Sequence, residues 1–414
     1  MSDPAAASPT RLSRHRSFAL FWCARTFTNG AYMMQGVAVG WQIYDLTNNP
    51  LDLGLVGLVQ FFPLIAMSIV AGQMLDLFDR RLVAAICQAG KALGALLLAV
   101  GTIQGWLGRE AMFALLFLSG TARAFEIPTM HSLLPGVVPT TLLPRAIAAS
   151  ASAQQTAVIC GPSIGGLLYA FGPATVYVTC ALMFVAAGTL IGFVRVAPRK
   201  EERKPVTLET LFAGFRYIRH HPIVLGAISL DLFAVLLGGV TALLPVYARD
   251  ILDAGPWALG LLRSAPAVGA LAISVVLAHR AIASKAGTIM FASVGMFGLA
   301  SVLFGLSTSI VLSILALTIY GASDAVSVVI RQSLVQLRTP NDMLGRVMAV
   351  NSLCTGSSGT LGEFRAGVVA AGLGAVPSVL IGGFGAIAVM FIWMWAFPQL
   401  RQVDKLGTDG EATP

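Results

Sequence analysis

Gly72-Gln73-Met74-Leu75-Asp76-Leu77-Phe78-Asp79-Arg80-Arg81 is a short charged hinge between two apolar runs, one reaching back to about residue 51 and the other forward from about 82 to 104. Each run has the roughly 20 residues a helix needs to cross the hydrocarbon of a bilayer. The hinge has a physical logic of its own. Gly72 permits close helix approach, and Asp76 can cap or face a neighbouring helix N-terminus. Arg80 and Arg81 can pair with carboxylates when that side of the protein closes, or serve only to hold the loop on the cytoplasmic side.

Outward from the hinge the same pattern repeats. The 414 residues are 56% hydrophobic and 11% charged, against about a quarter charged in soluble proteins. Mean hydropathy is +0.80. Twelve segments are long and apolar enough to span, at about 18–44, 51–75, 82–104, 111–133, 146–170, 174–195, 223–247, 257–279, 287–307, 310–332, 347–371 and 376–397. The expectation is an all-α membrane protein of twelve transmembrane helices.

Lys and Arg orient it. Of the 27, nineteen fall in one set of alternate connections, among them Arg16, Arg80, Arg81, Arg145, Arg216, Arg219 and Arg346, while the other set holds only Arg109 and Arg249. The positive-inside bias therefore predicts an inner-membrane protein with both termini in the cytoplasm. The organisation follows: a tail over 1–17, a six-helix bundle over 18–196, a linker over 197–222, a second bundle over 223–397 and a tail over 398–414. Within the linker, Leu208 to Ile218 carries apolar residues at helical spacing beside Arg216 and Arg219, which suits a helix lying on the anionic inner leaflet.

Several classes are excluded by the same reading. The net charge of +8 is dispersed in short connections without an aromatic stacking platform, so nucleic acid is not a partner. Cys23, Cys87, Cys160, Cys180 and Cys354 all sit in apolar stretches with no metal-ligand or disulfide spacing. No nucleotide-binding loop or catalytic motif is present, so the reading is a non-enzyme without metal or cofactor, driven by a gradient. Met1 to Arg16 is polar, and the first apolar span is expected to remain as a helix.

The chain also repeats itself. A shift of 201 residues lays Ser132-Leu133 on Ser333-Leu334, Pro139 on Pro340, Leu143 on Leu344, Arg145 on Arg346 and Gly161 on Gly362. This is the parallel repeat of two six-helix halves related by an axis along the membrane normal. With that repeat, the hinge Gly72 to Arg81 resembles the signature loop G-x-L-x-D-R-x-G-R-R/K of the major facilitator superfamily: Gly72, Asp76, Arg80 and Arg81 match, and Met74, Leu77 and Asp79 depart. Together with Leu142-Leu-Pro-Arg145-Ala and Leu344-Gly-Arg346-Val, it is most similar to the branch of bacterial efflux proteins that contains the enterobactin exporter. The resemblance implies secondary transport by alternating access, and a central cavity lined by the first, fourth, seventh and tenth helices.

Gly161-Pro162-Ser163-Ile164-Gly165-Gly166 on the fifth helix resembles the G-P-x-x-G-G motif associated with exporters in that superfamily, though close helix packing explains it equally. Its repeat counterpart, Gly362 to Gly367, has Glu363 in place of the proline.

Charges inside spans cost about 2.5–3.5 kcal/mol at a helix centre and are functional suspects. They fall in register between the halves. Arg123 corresponds to Asp324, and at a shift of 206 Arg25 corresponds to Asp231, so the first half carries the cation and the second the anion. Asp231 is the first choice for a proton-responsive carboxylate, with Asp231→Asn expected to spare folding and remove proton-driven transport. A static ion pair remains the alternative. Asp324, Glu363 and Arg365 are further coupling or cavity candidates, and Lys91 and Arg263 are assigned no site role. Glu126 lies three residues after Arg123, where it can complete a cytoplasmic latch by accepting Arg80 or Arg81. The expected partners are a small hydrophobic or amphipathic substrate, protons and lipid, with a monomer as the unit; export is the leading direction, uptake by symport the alternative, and a non-transporting membrane sensor or assembly partner the reading ranked below both.

Overall fold

Helix ends fall where backbone chemistry dictates them. Asp79 caps the helix that follows the hinge by accepting the Arg81 amide at 2.9 Å, and Gly105 closes the same helix at φ 76°, a left-handed conformation costly for other residues. Prolines open three others at their first turn, Pro173, Pro222 and Pro256, where the missing amide costs nothing.

The computed structural model describes residues 12, 15–196, 208–280 and 284–404. The side chains of 68, 69, 72, 73, 75, 76 and 208–211 lie outside that description, so Gly72 and Asp76 of the expected latch lie outside the described residues, as do the outer parts of both expected tails and the first part of the linker. Among the described residues there is no strand. The helices are α1 (Arg16–Thr47), α2 (Pro50–Leu77), α3 (Arg80–Gln104), α4 (Arg109–Val137), α5 (Leu143–Tyr169), α6 (Pro173–Gly192) and α7 (Leu208–His220). They continue as α8 (Pro222–Gly238), α9 (Leu244–Val246), α10 (Pro256–His279), α11 (Ala286–Leu306), α12 (Ile310–Leu337), α13 (Asn341–Leu373), α14 (Ala375–Ala396) and α15 (Pro398–Arg401).

Among the described residues nine stretches are long and apolar enough to cross a membrane. The long helices α1, α5 and α13 are not among the nine, and they carry several of the polar and small residues discussed below. Apolar side chains face outward as well as inward: Phe171, Leu182 and Trp395 are exposed, which is the surface a lipid solvent rewards and water does not. The repeat is present in the backbone, since α4 and α12 begin 201 residues apart, at Arg109 and Ile310.

One span departs from the sequence expectation. A single helix is expected over about 223–247, but α8 stops at Gly238. Gly239 is extended, a 3₁₀ turn covers Thr241–Leu243, and after α9 a π turn runs over Tyr247–Ile251. The Gly238-Gly239 pair is the cause, because glycine lowers the cost of leaving the helix and a side chain at Gly238 would meet the ring of Phe297.

Contacts divide the chain into two compact units. The first is Met1–Gly36, Val59–Gly161 and Phe171–Lys204; the second is Val37–Leu58, Pro162–Ala170 and Pro205–Pro414. In the first unit α3 packs between α4 and α6, around a core of Phe18, Phe21, Met130, Leu133 and Ile191. In the second, α11 packs on α12 and α14 while α8 packs on α13 and α14, with Val224, Phe291, Ile330 and Val347 in the core. The linker helix α7 lies against α13: Ile218 is buried, the Tyr217 hydroxyl donates to the Arg338 carbonyl at 3.1 Å, and Phe212 and Phe215 stay exposed.

Candidate functional site

Small residues bring the helices close enough for their charged groups to meet. In the first unit a Cβ at Gly120 of α4 would lie 2.5 Å from the Gln60 carbonyl oxygen, so α2 and α4 touch backbone to backbone there. That contact sits three residues before Arg123, whose guanidinium lies 3.8 Å from the centre of the Tyr32 ring. The Tyr32 hydroxyl in turn donates to Gln60 Oε1 at 3.0 Å. Arg25 of α1 donates from Nη2 to Gln154 Oε1 of α5 at 3.0 Å.

Glu126 is held elsewhere than expected. Its Oε2 is 2.6 Å from Lys91 Nζ and its Oε1 accepts from Gln88 Nε2 at 3.1 Å, with Lys91 2% and Glu126 5% exposed. The contacts expected with Arg80 or Arg81 are replaced by others. Arg80 donates to the Ser132 carbonyl at 3.2 Å, while Arg81 pairs with Asp79 at 2.9 Å and donates to the Val194 carbonyl at 3.3 Å. The reason is steric and electrostatic together: Lys91 and Gln88 stand on the face of α3 turned to α4, and a buried carboxylate takes the cation nearest to it. The Asp79 carboxyl, in the loop before α3, is held below the usual carboxylate range by the hydrogen bond from Arg81.

Lys91 is the residue that sequence reasoning passed over. The signal was present, since it is a lysine inside an apolar run, and the rule that ranks intramembrane charges as functional applies to it as much as to Asp231. Asp79, a departure from the family signature, also has a part to play as both the cap of α3 and the partner of Arg81.

Around these groups lies a cavity of about 120 Å³ lined by Arg25, Thr28, Asn29, Arg123, Glu126, His131 and Gln154, with Met130 and Ile127 as apolar wall. Thr28 is 3% exposed and its hydroxyl has no hydrogen-bond partner among the described residues.

The second unit carries a different constellation. Asp231 of α8 pairs with Arg331 of α12; the two are 6% and 2% exposed, and Thr355 of α13 donates to Asp231 Oδ2 at 3.4 Å. Asp324 stands two turns before Arg331 on α12, within electrostatic reach of both Asp231 and Arg331. Arg331 is thus paired with Asp231 alone of these two carboxylates. Glu363 of α13 accepts from Thr241 at 2.8 Å, at the break between α8 and α9, and a Cβ at Gly57 would lie 2.9 Å from its Oε2. Arg365 is packed against Gly382, and among the described residues none of its three guanidinium nitrogens has a hydrogen-bond partner. Glu363 and Arg365 are therefore separated rather than paired with each other.

The glycine motif divides its work. A Cβ at Gly161 would lie 2.6 Å from Met33 Cβ in the first unit. In the second, one at Gly166 would lie 2.6 Å from the Pro256 carbonyl oxygen, and one at Gly260 2.5 Å from that of Pro162. Gly165 is buried in the same run. At the end of α1 the Tyr44 hydroxyl donates to Asp250, and Arg249 lies 3.4 Å from Asp45, two contacts absent from the sequence reading.

A sequence profile described as transmembrane secretion effector matches residues 7–412. The chain belongs to that family, a branch of the major facilitator superfamily. Among its relatives, the enterobactin exporter EntS of Escherichia coli O81 is 26% identical over 401 residues, covering 94% of each chain, and EntS of Shigella boydii serotype 18 matches to the same extent. Solved structures share the fold. A bacterial homologue of the human lysosomal transporter Spinster, in an inward-facing and unoccupied conformation, has a TM-score of 0.73 at 13% identity, over 94% of this chain and 98% of that one. The nucleoside transporter NupG has 0.71 at 15% identity, over 92% and 99%. A transmembrane secretion effector is a membrane transporter and not an enzyme.

Proposed function

We propose that this transporter exports a small hydrophobic or amphipathic compound across the bacterial inner membrane in exchange for protons, by alternating access. Twelve spanning helices with both termini cytoplasmic are the frame for it, supported by the loop charge bias and by the backbone repeat of α4 in α12. Export is supported by the exporter relatives and by the close glycine packing along α5.

The observation that carries proton coupling is the cluster of Asp231, Asp324 and Arg331. Arg331 is paired with the buried Asp231, while Asp324, two turns away on α12, has no such ion pair among the described residues; in this reading Asp324 carries the proton while Arg331 is committed to Asp231. Exchange of Arg331 between the two would load and release that proton during the cycle. Glu363, at the break in the seventh span, stands where a change of helix direction meets a carboxylate, and it serves the gate rather than the proton.

The experiment uses proteoliposomes with an imposed pH gradient and three probes sharing one apolar body: 1-naphthalenesulfonate, 1-naphthalenesulfonamide and (1-naphthylmethyl)trimethylammonium. The expected result is probe movement opposite to the proton gradient, and loss of that gradient dependence in Asp324→Asn with probe exchange retained. Flux indifferent to the gradient would remove proton coupling. Flux in the same direction as protons would replace export with symport.

A further inference from the structure

The cavity of the first unit is unbalanced in charge. Arg25 and Arg123 line it together with His131, Glu126 is the one carboxylate among its described lining residues, and Glu126 is already held by Lys91 and Gln88. Arg25 spends one donor on the neutral side chain of Gln154. Arg123 rests on the Tyr32 ring, which steadies the guanidinium from one side and leaves its in-plane N–H donors without a hydrogen-bond partner among the described residues. Both guanidinium groups line the same cavity of about 120 Å³. An independent feature points the same way: the Thr28 hydroxyl, in the cavity wall and 3% exposed, has no partner among the described residues. A buried hydroxyl without a partner costs free energy that a bound acceptor recovers.

We propose that Arg25, Arg123 and Thr28 form a subsite for the anionic group of an amphipathic organic anion, a carboxylate or sulfonate whose apolar body lies against Met130 and Ile127. Guanidinium donors match such oxyanions in charge and in geometry, since two parallel N–H groups meet two oxygens. Glu126 does not repel the ligand because Lys91 cancels its charge from behind. Arg25 and Arg123 are then specificity-determining, and the protein selects its cargo by sign of charge before shape. The inference rests on the transport reading only in naming the bound anion as cargo; the subsite is a statement about binding.

Equilibrium binding tests it with the full chain purified in detergent and the same three naphthalene probes. The sulfonate is expected to raise the unfolding temperature and to bind at least about tenfold more tightly than the trimethylammonium probe, the size of one charge-assisted contact. Arg25→Gln and Arg123→Gln should each cut sulfonate affinity about tenfold and leave the sulfonamide unchanged. Arg123→Lys should keep most of the preference for the anion, and Thr28→Val, which preserves volume, should weaken the sulfonate about threefold. The lysine and valine variants keep the test open if the glutamine variants fail to fold. A preference for the cation, a sulfonate affinity indifferent to all four substitutions, or no sulfonate binding at millimolar concentration would each overturn the subsite. Sulfonate binding without flux in vesicles leaves the subsite and removes the anion as cargo; flux of the cationic probe alone, without sulfonate binding, leaves transport and removes the subsite.

Discussion

Lys91 Nζ lies 2.6 Å from Glu126 Oε2 in the packed face between α3 and α4, with both side chains almost wholly removed from solvent. Such a pair is costly to break from one side, because the partner left behind is a buried charge without compensation. Lys91→Met and Glu126→Leu are each expected to destabilise the protein by about 3–5 kcal/mol, and the double variant by clearly less than their sum. Thermal unfolding of the four proteins in detergent measures the coupling. Additive losses would show that the two groups act independently.

Asp231 and Arg331 make the parallel argument in the second unit, and here the structure changes what a single substitution should do. The sequence alone suggests that Asp231→Asn spares the fold. With Arg331 2% exposed and paired to Asp231, the amide leaves that cation stranded. Asp231→Asn is therefore expected to cost about 3–5 kcal/mol, and Asp231→Asn with Arg331→Met to recover most of it. Asp324→Asn, which strands nothing, should stay within about 1 kcal/mol. Unfolding midpoints rank the three.

The contrast between those two clusters shows what a single sequence can and cannot carry. Span positions and the repeat follow from hydropathy and spacing, which are local, and α4 and α12 begin 201 residues apart as the repeat requires. The break in the seventh span is visible only in retrospect as Gly238-Gly239, because a glycine pair ends some helices and is tolerated in others. Pairings are less legible still. Asp231 has one cation at its repeat-related position, Arg25, and another four helices on, Arg331 of α12; only packing chooses between them. Glu126 looked near in sequence to a latch with Arg80, yet its partner is a lysine on the neighbouring helix.

Asp79 offers a test at the hinge itself. It caps α3 and its carboxyl is held low by the hydrogen bond from Arg81, so its contribution is full above the unfolded value of about 4 and is lost as pH falls through the lower folded value. Asp79→Ala should lower stability by about 1 kcal/mol at pH 7, with the difference from wild type shrinking below about pH 4. Asp79→Ser, which also caps, should recover most of it. Urea titrations at pH 7 and at pH 3.5 check the sign.

Gly166 and Gly260 face one another so closely that a Cβ on Gly166 would lie 3.1 Å from Gly260 Cα and 2.6 Å from the Pro256 carbonyl oxygen. Backbone is the obstacle, and it has no rotamer to change. Gly166→Val is expected to destabilise the fold by about 2 kcal/mol or more, whereas Gly105→Asn, at a left-handed turn with open space around it, should be tolerated within about 1 kcal/mol. Unfolding of the purified variants separates a packing role for the glycine motif from a merely permissive one.

Arg249 and Asp45 bring the mechanism within reach of a single measurement. Arg249 sits in the π turn Tyr247–Ile251 that follows the break in the seventh span, and Asp45 in the last turn of α1, 3.4 Å away with both side chains partly exposed. Beside them the Tyr44 hydroxyl donates to Asp250 and Arg249 donates to the Tyr44 carbonyl at 3.5 Å, so three polar links join the end of α1 to this turn. Ion pairs of this kind are weak in water, about 1 kcal/mol or less, which is what a contact that must open and close requires. Cysteines placed at Asp45 and Arg249, in a background with the five native cysteines replaced, should crosslink readily in the ligand-free protein. If transport alternates, saturating 1-naphthalenesulfonate or an imposed pH gradient shifts the population between states and changes that yield several-fold. A yield unmoved by ligand and by gradient would mean that the link never opens, and that this end of the molecule is a fixed joint.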